Sequence, residues 1–243
     1  MTGVTAAWAG PAPEGAVVDL DDTLYSQADY LAGAVDAVAS RAGRLGLDRR
    51  SMALAFAASL AHGSDRGGTI DRALDALGVR QDHAAAVVPA LAAAFAAYAP
   101  KRLSCYPGTK DALAALRARL PVVCLTDGNP DIQMAKLAAL GLTGAFDAIV
   151  MTDRLGGRST RKPHPAGLLR AAEIVGVVPA RLVVIGDRPD KDVAVARACG
   201  ARAIRIRQGE YAHAPDRPEP WAGADNFPEA VAVVIDVLAG ASG

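Results

Sequence analysis

The chain is expected to fold as an α/β protein: a parallel sheet with helices on both faces, interrupted near its start by an inserted α-helical bundle. Three features predict this. Short, unbroken apolar runs recur at Ala16–Val18, Val122–Leu125, Ala148–Met151 and Leu182–Ile185, and a further strand is read at Ala203–Ile206, where only Arg205 is polar. Such runs lack the alternation of half-exposed strands and suit strands buried on both faces. From Tyr106 onward these runs alternate with helical patterns, and repeated βα units imply a parallel sheet. Between Tyr25 and Tyr106 the spacing is helical throughout.

The elements follow in order. Residues 1–15 carry neither a charged start nor a sustained apolar core, so they are expected to be a disordered tail rather than a secretory signal. The first strand then ends at the acidic cluster Asp19-Leu20-Asp21-Asp22. In the bundle, assigned to residues 26–104, Leu31, Val35 and Val38 share one helix face, and Met52, Phe56 and Leu60 another. Ile70, Leu74 and Leu77 repeat the spacing, as do Val88, Leu91, Phe95 and Tyr98. Turn residues at 46–48, 62–68 and 78–82 separate about four antiparallel helices. The α/β part is assigned to residues 16–25 and 105–243. A helix carrying Leu113, Leu116 and Leu120 leads into the Val122 strand. Asn129 caps and Pro130 opens the next helix, which Gly141 stops. Helices over 166–175 and 191–198 alternate with the later strands, and a final helix carries Val231, Val234, Ile235 and Leu238.

Composition narrows the function. The 243 residues are 51% hydrophobic, with 26 basic and 26 acidic side chains. Zero net charge without a basic patch argues against a nucleic acid or an anionic membrane surface as partner. The longest apolar stretch, Ala84–Tyr98, is mostly alanine and contains Pro89, so no membrane span is expected. Cys105, Cys124 and Cys199 show no metal spacing, and an odd number leaves one unpaired, which fits reduced thiols in a cytoplasmic protein.

The chemistry is expected at the strand ends. Asp19 and Asp21 stand two residues apart, so on an extended backbone both side chains leave the same side. Paired carboxylates attract a divalent cation, and their mutual repulsion separates their pKa values into nucleophile and proton-carrier roles. The second apolar run ends at Thr126-Asp127-Gly128, where a hydroxyl and backbone amides can cradle a phosphate. Lys162, between Arg161 and Pro163 just before a helical pattern, offers a compact positive charge. The run Leu182–Ile185 ends at Gly186-Asp187, and Asp192 follows five residues later.

This ordered set, Asp-x-Asp-x-Thr, then Thr, then Lys, then Gly-Asp-x-x-x-x-Asp, resembles the four motifs of the haloacid dehalogenase-like hydrolases, from about Val17 to the end of the chain. The resemblance implies a Rossmann-like core and reads the helical insert as a cap placed directly behind the first motif. It further implies Asp19 as the nucleophile that forms an aspartyl-phosphate and Asp21 as the acid and base. Thr126, Asp127 and Lys162 become the phosphate-binding set. Mg²⁺ is the implied cofactor, held by Asp19, the Asp21 carbonyl and Asp187, with Asp192 binding through water or orienting the lysine.

On this basis the expected activity is phosphatase action on a small phosphorylated metabolite, a sugar phosphate or phosphorylated acid, by a monomer or homodimer. Candidates for specificity are Tyr25, Gln27 and Tyr30 beside the first motif, and His62 and Arg66 in the polar loop. The alternatives are a 2-haloacid dehalogenase, a sugar phosphomutase, a nucleotide phosphatase and a non-catalytic binding protein. Asp21 speaks against the dehalogenase, whose members lack that acid and need no metal. A phosphonate-cleaving member needs a cap lysine, and residues 26–100 contain none. A mutase needs cap cations for a second phosphate, and of arginines 41, 44, 49, 50, 66, 72 and 80 only Arg66 has an evident reason to face the core. A binding protein is expected to have lost a motif residue, and none is lost.

Overall fold

The computed structural model describes residues 10–241. Six strands, β1 (Gly15–Val18), β2 (Val122–Thr126), β3 (Ala148–Met151), β4 (Leu182–Gly186), β5 (Arg202–Ile206) and β6 (Ala222–Ala224), form one sheet in the order β3-β2-β1-β4-β5-β6. Every neighbouring pair runs parallel. The apolar runs are continuous because both faces are covered. Val17, Val123, Leu125 and Val184 pack on one side with Leu168, Ala171, Val193 and Ala196. Their alternates Val18, Cys124, Val183 and Ile185 are equally buried.

The chain divides into two compact units, residues 28–101 and the remainder. The smaller contains α1 (Gln27–Arg44, its first residue in the larger unit), α2 (Arg49–Ala61), α3 (Thr69–Ala76) and α4 (Gln81–Ala96). Its core is the set read from periodicity: Val38, Met52, Phe56, Leu60, Ile70, Leu74 and Leu91, with Leu31, Val35, Leu77, Val88 and Phe95 against it. Asp48 caps α2 by accepting from Ser51 N at 2.7 Å.

In the larger unit, α5 (Thr109–Arg117), α6 (Pro130–Leu140), α7 (Asp153–Gly156), α8 (Ala166–Val175), α9 (Ala194–Ala198) and α10 (Phe227–Gly240) connect or follow the strands. Asn129 caps α6 through the N–H groups of Asp131 and Ile132, and Gly141 ends it with φ +67°.

Three expectations need correction. The disordered tail over residues 1–15 ends too late. The Arg181 guanidinium donates to Ala12 O at 2.9 Å, Glu14 N donates to Arg181 O at 2.8 Å, and β1 already begins at Gly15. Residues 1–9 of that tail lie outside the described residues. The helix expected from Lys191 is preceded by a wide turn, Pro189–Val193, in which Val193 N bonds Arg188 O across five residues. The short strand β6 was not anticipated, because Ala-Gly-Ala carries no strand signal of its own.

Candidate active site

Parallel pairing sends the carboxyl ends of β1, β2 and β4 to one edge. The strand order sets β1 between the other two, where the connections reverse direction, and open α/β sheets bind ligands at that point. Asp19 continues β1 through a 2.9 Å bond from its N–H to Ile185 O. Thr126 is the last residue of β2, and Asp187 directly follows β4. All three are buried.

Lys162 arrives from the segment before α8 and is 5% exposed. Its ammonium donates to Asp19 Oδ1, to Asp192 Oδ1 at 2.7 Å and to Leu125 O at 3.2 Å. Burial works against its charge, but the carboxylates of Asp19 and Asp192 raise its pKa well above the ordinary lysine value. Asp192 is fixed from the other side by Arg188 N, which donates to its Oδ2 at 3.0 Å. The wide turn brings this side chain back beneath Gly186.

Carboxylate oxygens of Asp19, Asp187 and Asp192 lie within 4.8 Å of one another, all buried. One lysine does not balance three carboxylates. Burial, opposed by Lys162 and assisted by Asp192, pushes the Asp19 carboxyl up to about 7. Burial with the charges of Asp192 and Asp19 raises Asp187 well above the ordinary range. An all-oxygen set with excess negative charge fits a hard divalent cation such as magnesium. The Asp192 oxygens accept from Lys162 and Arg188 N, and those of Asp19 accept from Lys162 and the Thr23 hydroxyl, so all three carboxylates stand as candidate ligands.

Asp21 has a separate environment. Its two oxygens accept from Lys136 Nζ at 2.8 and 2.9 Å, and Oδ2 accepts from Gln133 Nε2 at 3.1 Å. The Tyr25 hydroxyl donates to Oδ1. Burial acts to raise this carboxyl, but the Lys136 charge and these hydrogen bonds bring it below its ordinary value. Gln133 also donates to the Thr126 hydroxyl. Sequence reading missed Gln133 and Lys136. The available signal was their place on α6, on a face with Leu137 and Leu140, where a helix should present apolar groups; both are buried.

Asp127 turns its side chain to the protein. Oδ1 accepts from the Thr152 hydroxyl at 2.8 Å and from Lys162 N at 3.0 Å, and Lys191 stands 3.4 Å from Oδ2. It therefore braces the loop that carries Lys162, leaving its backbone N–H as its possible contribution to a phosphate cradle. Asp22, at φ 55°, accepts from the N–H groups of Gln27 and Glu210. Burial pushes the Cys124 thiol up, with Asp19 adding to the effect, so it stays a protonated packing group. Among the specificity candidates, Tyr25 belongs to the Asp21 cluster and Gln27 donates its backbone N–H to Asp22. In the helical unit Tyr30 is buried against Tyr98, the His62 ring bonds Ala58 O at 2.7 Å, and exposed Arg66 lies over Gly63.

The fold and the strand-end carboxylates define a parallel α/β core with a buried acidic site at the carboxyl ends of its central strands. The family model for haloacid dehalogenase-like hydrolases matches residues 13–200, and the chain belongs to that family. It is 35% identical over 134 residues to a phosphoglycolate phosphatase of Chromobacterium violaceum, covering 55% of this chain and 56% of that one. It is 30% identical over 154 residues to an (S)-2-haloacid dehalogenase of Xanthobacter autotrophicus, covering 52% and 59%. The chain spans about half the length of the curated relatives it matches. The crystal structure of a predicted phosphoglycolate phosphatase from Haemophilus somnus superposes with a TM-score of 0.67 at 20% identity, over 90% of this chain and 97% of that chain. At that identity the likeness concerns the fold alone. Among the described residues no helix is long and apolar enough to cross a membrane.

Proposed function

We propose that the protein is a magnesium-dependent phosphatase that hydrolyses a small phosphorylated metabolite through an aspartyl-phosphate on Asp19. The relatives include both a phosphatase and a dehalogenase, so similarity alone does not select the reaction. The observation that carries the reading is Asp21, a second carboxylate beside the nucleophile with its own set of donors. Expelling a halide requires no proton, whereas expelling an alkoxide does.

In the first step Asp21, a carboxylate in the free site, takes the proton of the substrate's monoanionic phosphate. An Asp19 oxygen then attacks phosphorus, the bond from phosphorus to the leaving oxygen breaks, and Asp21 gives that oxygen the proton. In the second, water attacks the same phosphorus, Asp21 takes the water proton, and the acyl-phosphate bond opens to restore Asp19. The sum is monoester plus water to alcohol plus phosphate. Lys162 balances charge on the phosphoryl oxygens and holds Asp19, while Thr126 and the backbone N–H groups after β2 bind the remaining oxygens. Asp19 and Asp187, with the Asp21 carbonyl, would hold a magnesium ion, which supplies charge neutralisation for an anionic nucleophile meeting an anionic substrate.

The phosphatase relative supports a small metabolite as substrate, and the three free thiols suit a reducing cytoplasm. The test is phosphate release from a panel of phosphorylated sugars and acids. Asp19→Asn, which keeps shape but removes the nucleophilic charge, should lower turnover by about 10³-fold or more. A chelator should abolish activity, and added Mg²⁺ should restore it. Full activity in either condition would overturn the mechanism.

A further inference from the structure

The clamp on Asp21 is built from one helix. Gln133 and Lys136 stand three residues apart on α6 and so share a face. Asn129 fixes the start of that helix, and Leu137 and Leu140 bury it. The Lys136 ammonium contacts both Asp21 oxygens, and the Gln133 amide spans Asp21 and Thr126. The Tyr25 hydroxyl joins from the segment following the first motif. The Asp21 carboxylate is therefore held on both oxygens from directions set by a rigid element.

We propose that Lys136, together with Gln133, is a positioning residue: it holds the Asp21 carboxylate at the leaving-group side of the phosphate site and ties it to Thr126. The role rests on the phosphatase reading given above. Two observations favour it over a purely structural one. Burying a cation does little for stability, since apolar replacements of buried pairs are often neutral or stabilising. The Lys136 side chain is nevertheless only 4% exposed. The chain also contains 21 arginines and only five lysines. Three of the five, Lys136, Lys162 and Lys191, are bonded or ion-paired to Asp21, Asp19 and Asp127. A chain that otherwise uses arginine has the compact ammonium at this cluster, and a point charge and a planar fork are not interchangeable at such contacts.

The test compares kcat/KM, which reports the steps up to loss of the alcohol, for two kinds of phosphate ester. An alkyl ester such as ribose 5-phosphate or 2-phosphoglycolate needs a proton on its leaving oxygen. The aryl ester 4-nitrophenyl phosphate scarcely does. Lys136→Met keeps the length and apolar stem but removes the two contacts that fix the Asp21 carboxylate. Loss of the charge by itself would favour proton donation, so a fall in rate reports lost positioning. A well-placed general acid is worth about 10²–10⁴-fold, so Lys136→Met should lower kcat/KM for the alkyl esters by about 100-fold or more. For the aryl ester the loss should stay within about 10-fold, because little proton transfer is needed there. Gln133→Met should give the same selective loss at smaller size and serves as the second variant if Lys136→Met does not fold. An equal loss on both ester types, or no loss, overturns the positioning role while leaving the phosphatase reading standing. Wild-type protein that hydrolyses neither ester type overturns that reading, and the positioning role with it.

Discussion

A single methyl group placed on Gly186 should disable the site without replacing a charged residue. A Cβ there would stand 2.5 Å from Asp192 Oδ2 and 2.7 Å from Asp192 Cβ, where ordinary carbon contacts need about 3.5 Å. Gly186 closes β4, paired with Arg205 of β5, so the backbone is held and Asp192 must yield by roughly 1 Å. That movement stretches the 2.7 Å bond from Lys162 and the 3.0 Å bond from Arg188 N. Lys162 loses one of its two carboxylate anchors and no longer holds Asp19 in a fixed place. A misplacement of about 1 Å costs roughly 10²-fold in rate, about 2.7 kcal/mol in activation free energy. Overpacking a close-packed site adds about 1–3 kcal/mol of lost stability, or roughly 2–4 °C in unfolding midpoint for each kcal/mol at this chain length. The assay is kcat on 4-nitrophenyl phosphate with saturating Mg²⁺, followed by thermal unfolding. Gly144→Ala is the control, since a Cβ there meets nothing within 4 Å. Gly186→Ala with turnover within about twofold of wild type and an unchanged midpoint would refute the coupling of Asp192 to Lys162, since the lost anchor should cost far more.

Other perturbations address the remaining parts. Lys162→Met leaves Asp19 and Asp192 buried without their shared cation; removing one partner of a buried pair costs about 3–5 kcal/mol, so the metal-free midpoint should fall by on the order of 10 °C. Added Mg²⁺ should recover part of that fall, and a midpoint equal to wild type would show that Lys162 does not balance the cluster. The Arg161 guanidinium bonds both Asp153 oxygens at 2.6 and 2.7 Å and holds that carboxyl below its ordinary value of 3.8. A group with a depressed folded-state pKa stabilises above its unfolded value and loses that contribution as pH falls through the folded one. The midpoint gap between wild type and Asp153→Asn should therefore be full near neutral pH and shrink below pH 3.8; a gap that widens in acid contradicts the pairing.

Much of the architecture can be read before any coordinates. Continuous apolar runs such as Val122–Leu125 could only be satisfied by burial on both faces, and the 3.6-residue spacing of Met52, Phe56 and Leu60 named a helix core directly. Both signals are local, because the side-chain period belongs to the backbone conformation itself. The same is true of the Asn129 and Gly141 helix ends. Residues Asp19, Thr126, Lys162 and Asp187 could be picked out because each sits at a strand or helix end beside a recognisable motif.

What the sequence could not decide is which partners those groups meet. Asp192 lies five residues from Asp187, and a regular helix start would have left it a favourable first-turn charge. The wide turn at Pro189–Val193 instead brings it to Lys162, 30 residues away in sequence. Asp127 became a brace for the Lys162 loop, and Asp21 met Lys136 across 115 positions of chain. Gln133 and Lys136 belong to no motif and, as polar residues in a helix, imply solvent until the fold buries them. Apart from β6 and the wide turn at Pro189–Val193, sequence alone determined the main strands and helices and which acids end the strands, since those depend on period and local termination. The strand order decided the chemistry of each carboxylate, because placing β1 between β2 and β4 determines which charges share a low-dielectric space, and that depends on contacts between residues far apart in the chain.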